Sequence, residues 1–111
     1  MKYFTAIYMM PVAGLEAWMA MPEAERKDEE AKFKQEWDAW LAAHTDAVKN
    51  TIALGATKRV SASGAEDIKN GMMLSSYVEA ESLDAAAALF KDHPHVKLPG
   101  ATIEIMETRQ M

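Results

Sequence analysis

Two hydrophobic periods, one of two residues and one of three to four, divide this chain into strand-like and helix-like stretches. The opening KYFTAIYMM is rich in aromatic and β-branched residues and stops at Pro11, which predicts a first strand. Gly14 and Pro22 break any long helix in the next stretch, leaving a short helical turn around Leu15 to Met21. Pro22 followed by Glu23 and Glu25 also suits a helix start, because proline fits the first helical position and acids complement the N-terminal dipole. From about Asp28, the residues Phe33, Trp37, Trp40, Leu41, His44 and Val48 recur at i, i+4, i+7, i+8, i+11 and i+15, one face of an amphipathic helix.

Beyond that helix the chain turns at Gly55, and the alternation from Ala56 to Ala62 predicts a second strand ended by Gly64. A loop from Ala65 to Asn70 comes next, with Asn70-Gly71 as a strong turn signal before a third strand, Met72 to Ala80. Ser82 is a good N-cap for a second helix carrying Asp84 in its first turn and the run Ala85 to Ala88. Pro94 discourages helical geometry at His93, and Pro99-Gly100 turns the chain into a fourth strand, ATIEIMET. The order strand, helix, strand, strand, helix, strand places both helices on one face of a four-stranded antiparallel sheet. The fold class is therefore α+β, a ferredoxin-like βαββαβ unit, in one domain over residues 1–111.

Alternation along the strands also describes the face that the helices leave bare. Ile103 and Ile105 oppose Thr102, Glu104, Met106 and Thr108; Leu74, Ser76 and Val78 oppose Met73, Ser75, Tyr77 and Glu79. The second face then mixes Glu104, Met106, Ser75 and Tyr77 with Lys58 or Arg59. A bare face of that size is a large patch for a monomer, and two copies packed face to face would bury it as a dimeric α+β barrel. Polar groups trapped there must be paired or wet, so Glu104 either meets a lysine or arginine or faces a ligand.

Composition narrows the partners. A net charge of -5 gives no basic footprint for phosphate backbones, so no nucleic acid partner is expected. The absence of cysteine excludes disulfides, zinc-thiolate sites and cysteine nucleophiles and agrees with a cytoplasmic setting. Tyr3 to Val12 is too short and soon too acidic to be a signal peptide or a membrane span. Methionine is abundant, and Met9-Met10 and Met72-Met73 suit either a yielding core or an adaptable pocket wall.

Candidate chemistry centres on histidine. His93-Pro94-His95 either ends a helix, where a ring N–H meets free carbonyls, or supplies a neutral imidazole to a bound substrate. His44, on the tryptophan stripe with Asp46 nearby, is either a hydrogen-bonded core residue or a base. Two imidazoles two residues apart, without a further ligand at a recognisable spacing, make no metal site. No serine-nucleophile, phosphate-loop or dinucleotide motif is present, and no cofactor is implied. Trp18, Trp37 and Trp40 belong to the core or stack an aromatic ligand.

The segments SLDAAAALFKDHPHV, KLPG and ATIEIMET, with KYFTAIYMM at the start and WDAWLAAHTDAV in the middle, resemble the YCII-related family of the dimeric α+β barrel superfamily. That resemblance implies a homodimer, and it leaves the activity open across monooxygenases, isomerases, haem-degrading enzymes and ligand sensors. Some members pair a histidine in the first long helix with an aspartate in an Asp-Pro-Phe motif. Here His93 stands at the aspartate's place, and Glu36 and Trp37 lie near that of the histidine. The Asp-Gly-Pro-Phe motif of another branch is missing. Two functional readings are open. One is a small-molecule-binding protein or small acid–base enzyme with a pocket between sheet and helices, served by His93, His95 and His44 with Tyr77, Glu104, Arg59 and Trp37. The other is a homodimer whose barrel face is only an interface.

Overall fold

A computed structural model describes residues 1–111. The chain runs β1 (Lys2–Met9), α1 (Val12–Ala20), α2 (Glu23–Ala43), β2 (Val48–Ala53), β3 (Thr57–Ser61), β4 (Gly64–Ile68), β5 (Met72–Ala80), α3 (Leu83–Leu89), a 3-10 turn (Pro94–Lys97) and β6 (Thr102–Glu107). The main sheet has the order β2-β5-β1-β6 with every neighbour antiparallel, while β3 and β4 form a separate two-stranded hairpin. The architecture is α+β, with the helices on one face of the four-stranded sheet.

Two expected elements move. The second strand of the sheet is Val48–Ala53, not residues 56–62, and the expected loop from Ala65 to Asn70 supplies β4. Thr57–Ser61 alternates well enough for a strand, but it pairs with its own neighbour and stays almost wholly exposed. Val48 fits the helical stripe by spacing, yet the helix stops at Ala43 and Val48 starts β2, buried opposite Val78. The long helix also begins earlier than Asp28, at Glu23 behind Pro22, where the proline-and-acid signal stands.

The core lies between the sheet and the helices. Phe4, Ala6 and Tyr8 of β1 and Val78 and Ala80 of β5 meet Trp40 of α2 and Ala86 of α3, with Phe90 just beyond it. Ser82 caps α3 through its side chain, accepting the Ala85 N–H at 3.0 Å. In β2 the register shifts between Lys49 and Ile52, and Asn50 adopts a left-handed conformation (φ 52°) that asparagine tolerates. This bulge lets Thr51 reach Ser76 on the covered face while Lys49 and Ile52 take the bare one. At the other end, the Met10 N–H donates to the Gly71 carbonyl at 2.8 Å, and a side chain at Gly71 would collide with the Met10 backbone.

Candidate functional site

His93 and His95 are brought to the covered face by the sequence that ends α3. Phe90 closes the helix, the His93 N–H donates to the Phe90 carbonyl at 3.1 Å, and Pro94 opens the 3-10 turn. His93 caps that turn with its own ring, since Nδ1 accepts the His95 backbone N–H at 3.0 Å. A ring accepting at Nδ1 carries its proton at Nε2, and this Nε2 is buried without a polar partner. Around it stand Trp37 and Trp40, with ring centroids 4.3 and 4.4 Å away. Burial first, then the nearby His95 and His44, holds the His93 pKa down to about 4, so the ring is neutral at pH 7.

His95 is also buried, at 1% exposure, but it is used differently. Its Nε2 lies 2.9 Å from the Met9 carbonyl, which can only accept, so Nε2 donates and the neutral ring keeps a lone pair on Nδ1. Burial lowers its pKa, and backbone contacts at Met9 and Thr102 pull the other way. The ring forms part of the wall of a cavity of about 450 Å³ between the end of β1, α1 and α2. Met10, Trp18, Phe33, Trp37 and Leu98 supply most of the remaining apolar wall, and Glu29, Glu30, Lys34 and Asp38 the polar rim. This size and composition suit a small organic molecule. A broader groove of about 630 Å³ lies between α1 and the hairpin, and no histidine lines it.

Tyr8 joins the two histidines from beneath, with ring centroids 5.2 Å from His93 and 5.7 Å from His95. Its hydroxyl bonds to Ser76 at 2.8 Å, and Ser76 to Thr51 at 2.7 Å, a hydroxyl chain that strand alternation alone does not announce. Burial raises the Tyr8 pKa, which the Ser76 bond partly offsets, so the phenol stays protonated.

The structure separates the other candidates. Trp37 lines the cavity beside His95. His44 closes α2, where its Nδ1 donates to the Trp40 carbonyl at 2.7 Å and its ring stacks on Trp40 at 4.0 Å; that carbonyl, not Asp46, orients it. Tyr77 and Glu104 lie on the opposite, bare face, Tyr77 stacked on Tyr3 at 5.3 Å and Glu104 across from Ile7. They cannot share one pocket with His95 within a single chain. Arg59 is not on the sheet at all: it sits on the hairpin facing Glu66 at 3.5 Å, as Lys58 faces Asp67 at 2.7 Å. The basic residue on the bare face is Lys49, 3.2 Å from Glu79, so Glu104 has no basic partner there. Met10 and Met73 take the pocket-wall role open to them, Phe33 joins that wall from the helical stripe it shares with Trp37, and Leu98 joins it without any signal beyond its hydrophobicity.

No protein family's sequence pattern matches the chain, and no curated protein matches it. Among solved structures, the chain is similar to 5-chloro-2-hydroxyhydroquinone dehydrochlorinase (TftG) from Burkholderia phenoliruptrix AC1100, solved in complex with 2,5-dihydroxybenzoquinone. The two superpose with a TM-score of 0.57 at 15% identity, over 98% of this chain and 95% of that one, a likeness of fold.

Proposed function

We propose that this chain is a small-molecule-binding protein of the YCII-related type, a cytoplasmic homodimer that holds its ligand in the cavity between β1, α1 and α2. One observation carries this reading: a buried, neutral His95, its tautomer set by the Met9 carbonyl, stands in the wall of an otherwise apolar cavity of about 450 Å³. A polar atom so placed orients a ligand, and its lone pair can take a proton from one, as a general base of lowered basicity. His93 makes no part of that wall; it is a positioning residue, bonded to the backbone of His95. The structural neighbour, solved with a small organic molecule bound, supports the small-molecule reading. Exposed Tyr3, Ile52, Tyr77 and Met106 on the bare face support the homodimer.

Native mass spectrometry of the freshly purified protein, beside a Leu98→Trp variant that fills the cavity, tests the reading. The expected result is a dimer carrying a discrete small mass that the variant lacks. A bare dimer, equal in both proteins and unresponsive to added planar aromatics, would leave only the interface and overturn the cavity as a binding site.

A further inference from the structure

Resting on the cavity as the binding site, we propose that its ligand is a flat aromatic molecule bearing a protonated amine, and that carboxylated or phosphorylated molecules of the same size are excluded. The wall comes first. Trp18, Phe33 and Trp37 bring three aromatic side chains to one small cavity, and aromatic faces attract organic cations, tryptophan most strongly.

The rim has the matching sign. Three carboxylates, Glu29, Glu30 and Asp38, stand there against one cation, Lys34. Lys34 is already bound to Asp38 at 2.6 Å, and Arg26, just outside, lies 3.8 Å from Glu30. Glu29 has no ion-pair partner. An entering anion would therefore meet no free counter-charge, whereas an ammonium would meet an unshared carboxylate.

The polar atom inside agrees. His95 commits its N–H to the Met9 carbonyl and has a further backbone contact at Thr102, so it brings no positive charge to the cavity wall that could balance an anion. The indole N–H groups of Trp18 and Trp37 are neutral donors, able to serve a hydroxyl or carbonyl but not to balance a full negative charge. Desolvating an unpaired anion in such a place is strongly unfavourable. A cation instead finds aromatic side chains and carboxylates around one cavity.

The test uses three probes on one ring system, naphthylmethylamine, naphthylmethanol and naphthoate, titrated calorimetrically into the intact protein at low and high salt. The amine should bind tightest, and naphthoate about tenfold or more weaker, the ratio expected of a cation on partly desolvated ring faces. A Glu29→Gln/Glu30→Gln double variant, altered only at exposed positions, should narrow the gap between amine and acid and leave the alcohol unchanged. Leu98→Trp should abolish binding of the amine. Naphthoate binding as well as the amine, or better, would overturn the ligand class while leaving the cavity as a binding site. Failure of all three probes to bind would overturn both, as would amine binding that persists in Leu98→Trp.

Discussion

The two faces of one sheet each carry tyrosine and serine, and on the two sides these residues meet opposite fates. Tyr8 and Tyr3 sit on the same strand, five residues apart and so on opposite sides. Tyr8 is fully buried, its hydroxyl bonded to Ser76 and its ring between two tryptophan-packed histidines. Tyr3 is 44% exposed and stacks on Tyr77 at the surface. The neighbouring serines repeat the contrast: Ser76 is the centre of a hydroxyl chain, while Ser75 on the bare face takes no part in it. Residue type did not separate these pairs. Helices cover one face and bring aromatic rings and hydroxyl partners to it, so identical side chains are worth different amounts on the two sides.

The largest break in that comparison is Tyr8→Ala against Tyr3→Ala. Truncating Tyr8 opens a cavity and leaves Ser76 with Thr51 as its one remaining side-chain partner, with an expected loss of about 3–5 kcal/mol in urea unfolding. Tyr3→Ala should cost under about 1 kcal/mol in the monomer and instead raise the dissociation constant of the proposed dimer. Equal losses at the two positions would erase the difference between the faces.

Acid comes next. In the unfolded chain an imidazole titrates near 6.5, and in the folded chain His93 titrates at about 4. Between those values the unfolded state binds a proton that the folded state refuses, so stability falls as the pH falls. The His93 contribution is fully present above about pH 6.5 and is lost progressively toward pH 4, amounting to on the order of 3 kcal/mol. His95, lowered as well, acts in the same direction. In His93→Gln the denaturation midpoint should depend less steeply on pH over this window; an unchanged slope would assign it to other groups.

The smallest effect sharpens the contrast. Ser76→Ala leaves the Tyr8 hydroxyl without its partner and should cost about 1–2 kcal/mol, whereas Ser75→Ala should stay within about 0.5 kcal/mol. Chemical denaturation of the two variants side by side reads both.

Much of the fold was legible because its signals are local. Pro11, Pro22, Ser82, Pro94 and Pro99-Gly100 all stand at or beside real boundaries, and each acts on the backbone of its own neighbourhood. The face assignments of β5 and β6 were legible for the same reason, since alternation is built into the strand. Where the reading failed, two segments competed for one place. Both Val48–Ala53 and Thr57–Ser61 can be strands; β5 pairs with the first and leaves the second to a hairpin carrying Lys58 and Arg59 away from the sheet. Partner choice is a long-range outcome, and local pattern is silent on it.

The candidate site divides along the same line. His93-Pro94-His95 stood out in the sequence because proline stops a helix and histidine can cap the turn after it, and the 3-10 turn capped by His93 expresses that local chemistry. Nothing local says that His95 reaches across 86 residues to the Met9 carbonyl, or that Trp18 and Trp37 from different helices face the same cavity. Nor does it say that Tyr77 and Glu104 turn their backs on both histidines. Sequence by itself determined the elements, their caps and the sidedness of the strands, all set by backbone geometry within a few residues. The tertiary structure decided which strand completes the sheet, which face is covered and which side chains share a pocket, because those depend on where distant segments find apolar surface and hydrogen-bond partners.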